Sequence, residues 1–159
     1  MIALKHIIWD WNGTILDDRW LTIAAMNSVL ARRNMDELTE DQYLQVFTFP
    51  VIEYYRRLGF DFEKEPFSVS GTEFINEYNA RAFEPQLHDG IIDLIAELKE
   101  NDVSHSILSA SSQEILDKLV EYHNIGHYFN AVLGQDNHYA YGKIETGKIF
   151  LNVQLSNIN

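Results

Sequence analysis

Ile7-Ile8-Trp9-Asp10-Trp11-Asn12-Gly13-Thr14-Ile15-Leu16-Asp17-Asp18 is the stretch whose reading decides the fold. An apolar run ends in a carboxylate, a glycine turn and a hydroxyl, after which the chain turns polar. Read as a strand, it carries Asp10 to its carboxyl end, where open α/β sheets place their ligands. Gly13 lets the backbone fold back, so that N–H and C=O groups of the turn can face a bound ion or phosphate. Thr14 adds a hydroxyl at the same spot. An aspartate so placed can attack phosphorus and form an aspartyl-phosphate. An ordinary strand and turn, with Asp10 only capping the next segment, leaves the clustering of Asp, Gly and Thr without a reason.

At 159 residues the chain fits one domain, or one domain with a small insertion. Hydrophobic residues make up 46% and aromatics 13%, enough for a packed core and far from the disordered range. A formal net charge of −12 argues against nucleic acid or an anionic membrane as partner. An acidic protein handling phosphate esters normally recruits a divalent cation to reverse the local field. The absence of cysteine excludes disulfides and thiolate chemistry. With no signal-peptide pattern and no apolar stretch of about 18 residues, the expectation is a cytoplasmic protein.

Outward from the opening stretch, the character changes twice. Trp20 to Arg33 shows helical spacing, with Leu21, Ala24, Ala25, Ser28 and Val29 on one face. A second helix is predicted after Thr39 as N-cap, with Tyr43, Leu44 and Phe47 as its apolar positions. Ile52 to Leu58 reads as a third, closed by Gly59, and Ser70 or Thr72 begins a fourth running through Phe83 to Pro85. Residues 18–85 thus form a block of short amphipathic helices. From His88 the pattern becomes α/β. Gly90 to Glu100 is a helix, Ser104 to Leu108 a strand, Gln113 to His123 a helix and Phe129 to Leu133 a third strand. This alternation predicts a parallel sheet. Ser111 or Ser112 is expected to cap the helix at 113, with Glu114 in its first turn.

The opening stretch resembles the first motif, DxDGT, of the haloacid dehalogenase superfamily. The resemblance implies a Rossmann-like parallel sheet, and the helical block at 18–85 resembles the C1-type cap inserted after that motif. The core would then comprise residues 1–17 and 86–159. In phosphatases of the family the first aspartate, matched by Asp10, is the nucleophile. The second is the general acid/base, and here it is Asn12. Asparagine exchanges no proton near neutral pH, and general acid–base help is worth about 10²–10⁴-fold.

Ile107-Leu108-Ser109-Ala110-Ser111-Ser112 resembles the second motif, a hydroxyl residue after an apolar strand, matched by Ser109. Before a helix start such a hydroxyl is placed to receive a phosphate oxygen. Lys143 in Tyr141-Gly142-Lys143 matches the third motif, a lysine that offsets nucleophile and phosphate charge. Gly142 to Lys148 also satisfies G-x-x-x-x-G-K, but Ile149 stands where a P-loop needs Ser or Thr. The resemblance therefore implies phosphate contacts at Trp11, Gly13, Ser109, Ala110 and Lys143, with Thr14 in support. It implies Mg²⁺ at Asp10 and the Asn12 carbonyl. In the family a further strand supplies one or two more aspartates to that ion, whereas this sequence ends in Phe150 to Asn159 without them. Asp136 is a nearby acid that could take part, or a plain loop residue.

Without flanking strands, Leu4 to Trp9 would be an apolar edge, so the expectation is self-association along it or coverage by the C-terminal residues. Arg19, Phe49 and Arg56 are the cap residues that would face a substrate, an arginine clamping a second anionic group as in phosphoglycolate. Packed aromatics and solvated arginines are the alternative. The sequence as a whole reads as a magnesium-dependent phosphohydrolase of a small phosphorylated metabolite. The other readings are a degenerate binding or interaction module with little turnover, or a shortened product of a longer phosphatase.

Overall fold

The computed structural model describes residues 5–135. Its elements in chain order are β1 (His6–Trp9), α1 (Arg19–Ala31), α2 (Glu40–Val46), α3 (Val51–Arg57), α4 (Phe67–Ala80), α5 (Ile91–Glu100), β2 (Ser104–Ser112), α6 (Gln113–Tyr122) and β3 (Ala131–Gln135). Contacts divide the chain into two compact units, Met1–Asp17 with Gln86–Asn159, and Asp18–Pro85.

The first unit is α/β, with its three described strands parallel in the order β1-β2-β3. Trp9 pairs with Ile107, and Ile107 with Val132. As the middle strand, β2 buries His105, Ser106, Ile107 and Ser109 completely, whereas β1 is half-buried along its length. Burial lowers the His105 pKa, with the charges of His6 and Lys99 adding and the Ile95 carbonyl opposing. The neutral ring accepts the Trp9 indole N–H at Nδ1, 3.0 Å away. Leu116, Leu119 and Val120 give α6 its buried stripe, and α6 packs on β2 and β3. From α5 only Ile95 is fully buried; Leu94 is 45% exposed.

β2 runs four residues beyond the predicted end at Leu108, and its pairing with β3 is irregular between Leu108 and Ser112. Polar serines hid this extension, because nothing in their side chains signals a strand. β3 starts two residues later than expected, after a single 3₁₀ turn at Gly126–Tyr128. The start of α6 is clamped to β3 by Gln113, whose Oε1 accepts Gly134 N–H at 2.6 Å and whose Nε2 donates to Val132 O at 3.0 Å. Gly134 allows that approach: a Cβ there would lie 2.7 Å from the Gln113 backbone.

The second unit is all helical. Its core is Met26, Val29, Leu30, Leu38, Tyr54, Tyr55 and Phe60, with Phe67 and Phe74 packed against it. The buried stripe of α1 is Leu21, Ala25, Met26, Val29 and Leu30, one position round from the expected face. The helix ends at Ala31, short of Arg33. Asn27 ties the connection after α1 by accepting Leu38 N–H at 2.8 Å and donating to Leu38 O at 3.0 Å. Thr39 caps α2 through a capping box with Gln42. α2 buries nothing fully, and its Leu44 is 57% exposed.

α4 begins at Phe67, directly after Pro66, and not at Ser70 or Thr72. Proline's fixed φ favours a helix start, and Ser70 is instead a fully buried interior residue bonded back to Phe67 O. The helix ends at Ala80, so Phe83 and Pro85 lie outside it. Arg33 crosslinks this unit, bonding Glu65, Glu73 and Val29 O. Among the described residues, no helix is long and apolar enough to cross a membrane.

Candidate functional site

β1 delivers Asp10 one residue past Trp9, whose partner in the parallel register is Ile107. Two residues past Ile107 comes Ser109, so the ends of neighbouring strands, about 4.8 Å apart, bring the first two motifs together. Asp10 is exposed, and its Oδ1 accepts the Trp11 N–H at 2.7 Å. The chain then reverses tightly. Trp11 O accepts N–H groups from Thr14, Ile15 and Leu16, and Gly13 N–H donates to Leu16 O at 2.9 Å. Gly13 takes φ +70, which L side chains rarely adopt. Trp11 and Ile15 anchor the turn in the core, both with no exposed surface.

In this structure the Trp11 and Gly13 N–H groups therefore face acceptors within the turn, where the sequence led us to expect them facing a ligand. Thr14 is exposed, and Ala110 is half-buried in β2. The bridge between Asn12 and Leu16 is made by Trp11 O and Gly13 N, on either side of the Asn12 backbone.

The Asn12 side chain points to β2. Its Oδ1 accepts the Ser111 hydroxyl at 2.8 Å and the Ser109 hydroxyl at 3.3 Å, and Ser109 Oγ accepts the Ser111 N–H at 3.0 Å. Ser109 is fully buried. Ser112 is the N-cap of α6, but no side-chain cap bond forms there, and Ser111 serves Asn12 in place of the helix. Ser112 at the N-cap and Glu114 in the first turn are as expected, and the absent side-chain cap bond is the departure. Its cause is the strand's continuation: with side chains alternating across a sheet, residues 109 and 111 share a face. The Ser-x-Ser spacing was the available signal for Ser111. Gln113, which fixes the following helix start, carried none.

The oxygens at the turn, a carboxylate at Asp10 and a backbone carbonyl at Asn12, are hard donors of the kind magnesium takes, usually with one or two carboxylates, substrate phosphate and waters. Among the described residues no group of three His, Cys, Asp or Glu side chains gathers. Lys143 and Asp136 lie outside the described residues.

In the helical unit Arg19 pairs with Glu40 at 2.8 Å. Arg56 pairs with Glu53 and lies 5.7 Å over the Phe62 ring. Phe49, 59% exposed, meets Phe47 edge-on. Asp18, buried at the start of α1, accepts the Tyr78 hydroxyl at 2.5 Å.

The sequence matches the model of the haloacid dehalogenase-like hydrolase family over residues 7–143. No curated protein matches it. Among solved structures, it is similar to a haloacid dehalogenase-like family protein from Streptococcus pneumoniae, at TM-score 0.74 and 17% identity, covering 94% of this chain and 70% of that one. It is similar to a predicted phosphoglycolate phosphatase from Haemophilus somnus, at TM-score 0.69 and 16% identity, over 86% of this chain. The chain spans 64% of that protein's length. CbbY from Rhodobacter sphaeroides, solved in complex with phosphate, gives a TM-score of 0.61 and 20% identity, covering 84% of this chain and 64% of that one. At these identities the likeness is one of fold.

Proposed function

The chain belongs to the haloacid dehalogenase-like hydrolase family, and from that premise we propose that it is a phosphohydrolase of a small phosphate monoester, working through phosphorylated Asp10. One observation carries the reading: Asp10 leaves β1 beside the strand end whose Ser109 hydroxyl is joined to Asn12 in the same turn. In this reading the nucleophile and the hydroxyl that would hold phosphate come from adjacent parallel strands. Asp10 attacks phosphorus, Ser109 and Lys143 hold the phosphoryl oxygens, and Thr14 with the backbone at Ala110 supports them, the Trp11 and Gly13 N–H groups being held within the turn. Asp10 and the Asn12 carbonyl would hold Mg²⁺, which when bound neutralises phosphoryl charge. The helical unit selects the substrate, with Arg19, Phe49 and Arg56 as the residues that meet it. A second reading, a phosphate-binding member with little turnover, is favoured by Asn12, which is engaged with two serines and transfers no proton.

The test is magnesium-dependent release of phosphate from a generic aryl phosphate, alongside Asp10→Asn. Turnover that requires Mg²⁺ and vanishes in the variant supports the hydrolase. Equal background in both proteins, with matching circular dichroism, removes it.

A further inference from the structure

We propose that the helical unit carries a binding site of its own, for a free aliphatic α-amino acid. A pocket of about 180 Å³ lies in that unit, formed by the end of α1, the segment after it, α2 and the end of α3. Pockets that take drug-sized molecules run to about 300–1,000 Å³, so this one suits a smaller ligand. Leu30 and Leu38, both buried, and half-buried Val46 and Leu58 give it an aliphatic floor, where a short hydrocarbon chain leaves water. The exposed side chains around that floor are Asp36, Glu37, Gln42 and Arg57. Their backbone is held in place. Asn27 bonds both the N–H and the C=O of Leu38, and the capping box of Thr39 with Gln42 sets the first turn of α2. None of these residues takes part in the phosphohydrolase reading above.

The polar groups of the pocket match a zwitterion and are not spent on one another. Among the described residues Arg19, Arg32, Arg33, Arg56 and Arg81 each pair with a carboxylate, and Arg57 is the one arginine that does not. Its Nη1 donates to Val46 O at 3.4 Å, which leaves most of a five-donor fork unused. Gln42 Oε1 accepts the Thr39 N–H at 2.9 Å and the Thr39 hydroxyl at 3.0 Å. What Gln42 still offers is its amide N–H, also a donor. Asp36 has no ion-pair partner among the described residues, and Glu37 accepts the Asn27 amide at 3.5 Å. Two donor groups are thus available to a ligand carboxylate and two carboxylates to its ammonium, with the aliphatic floor for its side chain. Each simpler ligand loses part of this match. An aliphatic acid brings no cation to Asp36 and Glu37, an aliphatic amine leaves Arg57 without an anion, and inorganic phosphate meets two like charges.

The full chain, isotope-labelled, is titrated with L-leucine and followed by amide correlation spectra. Isovalerate, isoamylamine and inorganic phosphate are titrated in the same way. All four are compared on the wild-type protein, so the comparison does not depend on the folding of a variant. Leucine is expected to bind with a Kd of about 1 mM or tighter, moving the amides of Asp36, Glu37, Leu38, Gln42 and Leu58. The other three bind at least about tenfold more weakly, the effect of losing one charged contact. Arg57→Gln, at an exposed position, weakens leucine by about the same factor and leaves the rest of the spectrum unchanged. No saturable shift with leucine at about 10 mM overturns the proposal, and so do shifts confined to other residues. Isovalerate, isoamylamine or phosphate binding within about tenfold of leucine overturns the zwitterion assignment. An Arg57→Gln variant that binds leucine like the wild type does the same. Each outcome is read without turnover at Asp10, so a failure here is distinct from a failure of the phosphatase assay.

Discussion

Replacing Gly134 with alanine tests how the end of the sheet that carries Ser109 and Ser111 is held. The added Cβ would stand 2.7 Å from both N and Cα of Gln113 and 2.9 Å from Ser111 O, where ordinary contact begins at 3.4 Å. All three opposing atoms belong to the main chain, fixed by α6 and β2, so relief requires strand and helix start to part by several tenths of an ångström. Overpacking of this kind costs about 1–3 kcal/mol. Parting them also stretches the Gln113 clamp, two bonds of 2.6 and 3.0 Å, each worth a net of about 0.5–1.5 kcal/mol. The expected loss is about 2–4 kcal/mol, which in a chain of this size lowers Tm by roughly 5–15 °C. Urea unfolding at 25 °C and a thermal melt followed by circular dichroism give the number. Gly126→Ala is the control, since its added Cβ meets Val120 at an ordinary 3.5 Å. If Gly134→Ala falls within about 0.5 kcal/mol of that control, the close approach of β3 to Gln113 is wrong.

Three further outcomes are expected. Asn27→Ala removes both bonds to Leu38 and leaves its buried N–H and C=O without those partners, costing about 1–3 kcal/mol in urea unfolding. Thr39→Ala breaks the capping box at an exposed helix start, so a smaller loss of about 1 kcal/mol is expected, with a local rise in amide exchange over α2. The third concerns pH. His6, His105 and His123 have folded pKa values lowered from 6.5, chiefly by burial. The unfolded chain therefore takes up protons first, and their contribution to stability, full above about 6.5, declines as pH falls through that value toward the lowered ones. Protonation would also turn His105 Nδ1 from acceptor to donor opposite the Trp9 indole. His105→Gln should flatten the stability slope between pH 7 and 5, read by tryptophan fluorescence during urea unfolding; an unchanged slope would remove His105 from the account.

The elements legible in the sequence were those with a periodic apolar pattern and a local stop signal. Thr39 before Glu40 announced α2, and the spacing of Leu116, Leu119 and Val120 announced α6. The misses share one cause. Ser109 to Ser112 looked like a helix entrance because serine is a good cap in isolation, yet β2 carries them on as strand, beside Asn12 and β3. Pro66 rather than Ser70 starts α4, since Ser70 was already inside the helix. At the site, Asp10, Asn12 and Ser109 could each be named from motif order, whereas the use of Ser111 as a hydroxyl donor to Asn12 could not.

The sequence by itself determined the strand–turn that ends at Asp10, the parallel α/β alternation and the helical character of residues 18–85, because each follows from local periodicity and turn chemistry. It also fixed that position 12 transfers no proton, a matter of side-chain chemistry alone. Tertiary structure decided which way the Asn12 amide faces, where β2 ends and that Gly134 must lack a side chain. Those depend on residues about a hundred or twenty positions apart meeting across a parallel sheet, and no local pattern encodes the register that brings them together.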